Sequence, residues 1–172
     1  DEDQRAIRFA IFHLTQSASR FDPSVSIGAK ALSGEAYRGH VFWDTEIFML
    51  PFFAYTNPSV AHRLLMYRWH GLPGARRKAR QTGYQGAMFP WESAHTGEET
   101  CPTWVKDPRT GESVRVWCGE IEQHITADIL YGAHFYATVC RQRAATTEWF
   151  NELAVETARF WASRVTWNPA AN

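Results

Sequence analysis

Cysteine is scarce in this chain of 172 residues: Cys101, Cys118 and Cys140 are all it has, and none forms a CxxC pair. An odd number at wide spacing argues against a disulfide framework and fits free thiols in a reducing compartment. A single bridge from Cys101 to Cys118 across one loop stays open. Net charge is absent as well, with 18 Lys and Arg against 18 Asp and Glu. Nucleic-acid binding needs a basic footprint. The one basic cluster, Arg76-Arg77-Lys78 with Arg80, is short and at helical spacing reads as a solvated face, so no nucleic-acid partner is expected. No apolar run approaches 20 residues and no signal-peptide pattern is present, so neither a membrane span nor secretion is expected, and the cytoplasm is the expected location. GxSxG, P-loop and dinucleotide patterns are missing too. No short repeat recurs at a fixed period.

What is present is apolar and aromatic. At 45% hydrophobic and 21% charged, the chain can bury a core as one domain or as part of a larger one. It opens directly in helix-like sequence, DEDQRAIRFAIFHL, as a chain cut from a longer protein would. Aromatics reach 15%, with 8 Trp. Many stand beside Asp, Glu or His rather than in apolar runs. Rings pack on the apolar faces of sugars and carboxylates accept from sugar hydroxyls, so the pairing suits a carbohydrate site. A Trp-rich core is the other explanation.

Along the chain, residues 3–19 read as a helix. Ala6, Ile7, Ala10, Ile11 and Leu14 repeat at i, i+3, i+4 and i+7 and make an apolar face. A loop with Pro23 and Gly28 follows. A second helix is predicted from about Asp44 to Tyr55, with Asp44 or Thr45 as its cap. Asn57-Pro58 starts a third over 58–70, with Val60, Leu64, Leu65 and Trp69 inward. A short helix spans about 74–82. Breakers then crowd a long loop, about 83–119, in which only Ser113–Val116 reads as a strand. Length without structure suggests a lid or binding loop, and its Met88, Phe89, Trp91, Trp104 and Trp117 argue against disorder. Helices over about 122–141 and 147–164 complete the pattern, joined by 142–146. The fold class is all-α, and paired helices with functional loops between them suggest a toroid of helical hairpins.

Three clusters combine acids, histidine and aromatics. The first is Tyr37, Arg38, His40, Trp43, Asp44 and Glu46. The second is Phe89, Trp91, Glu92, Ser93 and His95, with Glu98 and Glu99. The third is Glu120, Glu122, His124 and Asp128. Each has a bland explanation beside the sharp one. Asp44 at a helix start is a cap or a ligand, and Trp43 beside it is core or platform. Trp91-Glu92 in a loop is harder to explain by packing. Glu120, His124 and Asp128 fall at i, i+4 and i+8, one face of a helix. That row is a substrate-lining helix start, a structural hydrogen-bond row or a metal site. As a zinc signature it is poor, and no metal is expected. His13, His62, His70 and His134 read as structural.

The string from Gly34 to Phe53, GEAYRGHVFWDTEIFMLPFF, resembles the catalytic domain of glycoside hydrolase family 65, which holds maltose, trehalose, kojibiose and nigerose phosphorylases and a few hydrolases. Gly83 to Ala94, GYQGAMFPWESA, with Thr96-Gly97-Glu98-Glu99, resembles its second motif. Glu122 to Ile129, EQHITADI, and Glu156 to Arg164, ETARFWASR, match further on. The resemblance spans nearly the whole chain in order. It implies an (α/α)6 barrel of which residues 1–172 would be about the first half, with 83–119 as the substrate loop. It implies that Trp43 and Asp44 hold the glucosyl unit whose bond is broken, with Trp91 and Glu92 as a second pair. The stretch from about Val114 to Glu122 would shape the acceptor side, with His124 near it. Arg38 and His40 are further candidates. The expected activity is inverting phosphorolysis of an α-glucosidic disaccharide to β-glucose 1-phosphate. Inorganic phosphate would be co-substrate and no cofactor is expected. The family's general acid lies in an Asp-Glu-Tyr-His-like motif soon after the ETARFWASR-like helix; it is absent here, so the acid is expected beyond Asn172. The alternatives are a hydrolase of the same family and, for these residues alone, a non-catalytic sugar-binding fragment. Open helix faces in half a barrel predict self-association.

Overall fold

The computed structural model describes residues 1–140 and 147–171. The expected connection over 142–146 lies outside the described residues. Helices dominate: α1 (Glu2–Ser17), α2 (Leu50–Thr56), α3 (Pro58–His70) and α4 (Leu72–Gln81) come first. A two-stranded antiparallel hairpin, β1 (Trp104–Lys106) and β2 (Ser113–Arg115), pairs Trp104 with Arg115. The short α5 (Cys118–Ile121), then α6 (Ile125–Val139) and α7 (Glu148–Arg164), follow. No described helix is long and apolar enough to cross a membrane.

The core forms where helical periodicity aligns apolar side chains. Leu50, Phe53 and Ala54 of α2, Val60, Ala61, Leu64 and Leu65 of α3, and Ala133 and Tyr136 of α6 make one cluster. Leu72 and Ala75 of α4, Ile125 and Ile129 of α6, Leu153 of α7, and Ala87 and Phe89 from the long loop make a second. Pro58 and Pro73 occupy the first turns of α3 and α4, where a missing N–H costs nothing. Close approach of α4 to the long loop depends on glycine. A Cβ on Gly74 would lie 2.4 Å from the carbonyl carbon of Gly97.

Three local expectations change. The first helix exists, with Asp1 capping it by accepting from the Asp3 N–H, but its apolar face is not inward. No residue of α1 is buried, and Ile7 and Phe9 are 61% and 65% exposed. Only Leu14 and, just past the helix, Ala18 reach the core. The second helix starts as a π-helical turn, Thr45–Met49, before α2 proper. Neither proposed cap acts there: Asp44 makes no cap hydrogen bond, and the Thr45 hydroxyl donates to the Ile27 carbonyl at 3.2 Å. The third is the predicted 122–141 helix. Glu122 has an extended backbone and breaks that segment, so Glu120 belongs to α5 and His124 precedes α6.

Candidate functional site

Irregular segments meet beside the helices through single backbone rungs. Val41 bridges Gly28 on one side and Ser93 on the other, and Ser93 in turn bridges Glu99. Val41 and Ser93 exchange both hydrogen bonds, at 2.9 and 3.0 Å. This stitching sets Phe42-Trp43-Asp44 next to Trp91-Glu92.

Arg68 of α3 locks the arrangement from within. Its Nε and Nη2 donate to the two Glu46 carboxylate oxygens at 2.9 and 2.8 Å. Nη2 also donates to the Phe42 carbonyl at 2.8 Å, and Nη1 to the Ser93 hydroxyl at 3.2 Å. One guanidinium thus ties together the two strings that carry the indole–carboxylate pairs. Burial opposes its charge, but the adjoining Glu46 outweighs burial and holds Arg68 above its usual range. Tyr67 supports the same corner, its hydroxyl 2.9 Å from Ser93 Oγ and donating to the Ala94 carbonyl at 2.9 Å. Burial pushes that phenol up.

A cleft of about 740 Å³ opens beside these strings, within the range that holds small molecules. Arg38, His40, Trp43, Asp44, Trp91 and Glu92 all line it. So do Tyr37, Thr100 and Cys101, together with Val105 of β1, Val116 just after β2, and Cys118. Glu122 and His124 are not in the lining. His124 instead touches both indoles edge-on, with ring centroids 4.9 Å from Trp43 and 6.0 Å from Trp91. Its Nδ1 lies 2.5 Å from Asp128 Oδ2 and its Nε2 3.8 Å from Glu122. Arg115 stacks on Trp117, 4.4 Å from the ring, and pairs with Glu120.

Within the cleft, His40 Nδ1 sits 2.8 Å from Glu92 Oε2, with the Thr100 hydroxyl 3.3 Å from the same nitrogen. An Nδ1–H donating to the carboxylate orients it toward the opening. Glu92 is buried, while Trp43, Asp44 and Trp91 are half-buried. Tyr37 and Arg38 have left-handed backbones, φ 62° and 54°. For residues with a Cβ this costs about 1–2 kcal/mol each, and such strain gathers at functional loops. Cys101 and Cys118 carry free thiols. Burial pushes the Cys101 thiol up to about 11.

The geometry revises two readings of the residue pattern. The basic cluster is only partly a solvated face: Arg80 is exposed and Arg77 pairs with Glu98 at the surface, but Arg76 pairs with Glu152 and Glu156, and the buried Lys78 with Glu99. The Glu120, His124, Asp128 row is broken at Glu122. Among the described residues no three His, Cys, Asp or Glu side chains gather as a metal site. Two residues that build the cleft, Arg68 and Lys78, belong to none of the three clusters, and their partners Glu46 and Glu99 belong to clusters without a role of their own. Arg68 carried a signal, since it shares the apolar face of Leu64 and Leu65, and a charge on a core face demands a buried partner.

Two indole–carboxylate pairs thus line one cleft on a mostly helical scaffold. The chain belongs to glycosyl hydrolase family 65: residues 8–172 match the family's central catalytic domain. It is similar to kojibiose phosphorylase from Halothermothrix orenii, 56% identical over 169 residues, which are 98% of this chain and 22% of that protein. Kojibiose phosphorylase from Escherichia coli is 46% identical over 163 residues, 94% of this chain and 22% of that one. Among solved structures, a candidate kojibiose phosphorylase from the human microbiome aligns with a TM-score of 0.84 at 31% identity, over 98% of this chain and 23% of that chain. The chain spans about a fifth of the length of these relatives.

Proposed function

We propose that this chain is the glucose-holding part of an enzyme that cleaves an α-glucosidic disaccharide by inverting phosphorolysis, releasing β-glucose 1-phosphate. The observation that carries this reading is the joint presence of Trp43-Asp44 and Trp91-Glu92 in one cleft, in a domain whose relatives are phosphorylases. The indoles would pack on the sugar faces and the carboxylates accept from its hydroxyls. Arg38 and His40 would complete the glucosyl side. Glu122 and His124, with the 114–122 stretch, would shape the acceptor side, His124 by supporting the two indoles.

Inversion by phosphate needs one acid to protonate the leaving oxygen, because phosphate is already a nucleophile. None of these residues is assigned that role, and the acid is proposed to lie in sequence after Asn172. On the same reading, residues 1–172 form one partial domain, about half of an (α/α)6 barrel, with 83–119 as its substrate loop and the cytoplasm as its location. The kojibiose phosphorylases among the relatives make an α-1,2-linked glucoside the first substrate to test.

The test uses the full-length protein with kojibiose and phosphate, following the anomer of glucose 1-phosphate by NMR. Phosphate-dependent β-glucose 1-phosphate is expected. Free glucose formed without phosphate would move the protein to the hydrolase branch. Residues 1–172 alone would at most bind sugar, and calorimetry with glucose and kojibiose reads that out. The exposed apolar side chains of α1, Ile7, Phe9, Ile11 and Phe12, favour self-association of this piece. A monomer in sedimentation at high concentration would count against it.

A further inference from the structure

We infer that Glu99 is a positioning residue of this site: with Lys78 it presents Trp91 and Glu92 to the cleft through their backbone. The inference rests on the reading of the cleft as a sugar site. Glu99 Oε2 accepts from the Trp91 N–H at 2.8 Å and from Lys78 Nζ at 2.5 Å. Oε1 accepts from the Glu92 N–H at 3.0 Å and the Cys101 N–H at 3.1 Å. One carboxylate therefore fills its acceptor positions with groups from both ends of the 91–101 turn.

Each partner needs this arrangement. The Trp91 and Glu92 amides point at a side chain rather than at a neighbouring strand, and a donor left unmet there is costly. Lys78 is nearly sealed from solvent, its side chain 7% exposed, and a buried ammonium requires a counter-charge. Lys78 also belongs to α4, which crosses the loop at Gly74 and Gly97. A rigid helix thereby sets the height of the Trp91-Glu92 backbone, while His40 sets the direction of the Glu92 carboxylate. Glu99 itself is absent from the cleft lining, so it acts through its neighbours.

A Glu99→Gln variant of the full-length protein tests this. The amide nitrogen of Gln accepts nothing, so its one oxygen cannot serve three backbone donors and Lys78 together, while the side-chain volume is kept. The disaccharide KM is expected to rise about tenfold or more, as small displacements of positioning groups do, with the phosphate KM within about twofold and a melting transition that is lowered, because Lys78 loses its counter-charge, but still cooperative. Combined with Glu92→Gln, Glu99→Gln should add much less than its effect alone, because its target is already lost. Amide exchange of Trp91 and Glu92 should quicken in Glu99→Gln. Both KM values rising together with loss of the cooperative melting transition would overturn the inference, as would fully multiplicative effects with Glu92→Gln. Should the unaltered protein show no phosphorolysis of any α-glucoside, the functional reading fails on its own. Amide exchange then decides the positioning role: faster exchange at 91 and 92 sustains it, and unchanged exchange removes it.

Discussion

Arg68 and Glu46 meet in a two-pronged ion pair of 2.9 and 2.8 Å with both side chains at most 2% exposed. Such a pair costs much to desolvate, and its removal from one side leaves a bare buried charge. Here the loss is wider, because the Phe42 carbonyl and the Ser93 hydroxyl take hydrogen bonds from the same guanidinium. Arg68→Met should destabilise the protein by about 3–5 kcal/mol in denaturant unfolding. Adding Glu46→Gln should recover part of that loss, since the uncompensated carboxylate is then gone. A double variant less stable than Arg68→Met alone would contradict this account.

His40 governs Glu92 at 2.8 Å. His40→Ala should raise the disaccharide KM about tenfold or more, the scale of one hydrogen bond to a charged group. His40→Asn places an N–H near the Nδ1 position and should restore part of the affinity. Steady-state kinetics of the full-length protein read both. Equal losses for Ala and Asn would mean that ring packing, not the hydrogen bond, is what His40 contributes.

Much of this cleft was legible before its geometry. Trp43, Asp44, Trp91 and Glu92 stood out because aromatic–acid neighbours at segment ends are hard to assign to packing, and the structure brings them to one opening. The helices 58–70 and 147–164 were readable within a residue or two, since periodicity and Asn57-Pro58 are local signals. What stayed hidden depends on distant partners. Lys78 meets Glu99 across 21 positions, and Arg76 meets Glu156 across 80. A helical wheel shows which face is charged but not what lies against it. The same limit explains α1: its apolar face is real, and no described element covers most of it.

Gly97 tests the crossing that seats the long loop. Its φ is +67°, and a Cβ there would lie 2.3 Å from the Gly71 carbonyl oxygen, so two penalties coincide. Gly97→Ala should cost about 2 kcal/mol or more, from overpacking and left-handed strain. Gly34→Ala is the control, because nothing lies within 4 Å of its Cβ. That change should stay within about 0.5 kcal/mol. Equal midpoints for the two variants in urea would show that α4 and the loop separate without cost.

Arg76 sets a pH dependence whose sign follows from its two partners. The Trp69 indole N–H, then Arg76, hold Glu152 below the ordinary glutamate value of 4.5. For Glu156 burial acts in the opposite direction, but Arg76 and Arg159 outweigh it, and it too lies below 4.5. A carboxyl with a lowered value in the folded state binds protons less readily there than in the unfolded chain. It therefore stabilises the fold above about pH 4.5, and the contribution is lost as pH falls through the folded value. Arg76→Met removes the shared partner, so the drop in urea midpoint between pH 7 and pH 3.5 should be smaller than in the unaltered protein. At pH 7 the variant should be the less stable of the two, and at the acid end the two should converge. Glu152 is about a third exposed, so solvent screens its share and the Glu156 contact contributes more of the effect. Parallel midpoint curves across the whole range would mean that Arg76 joins α4 to α7 by packing alone.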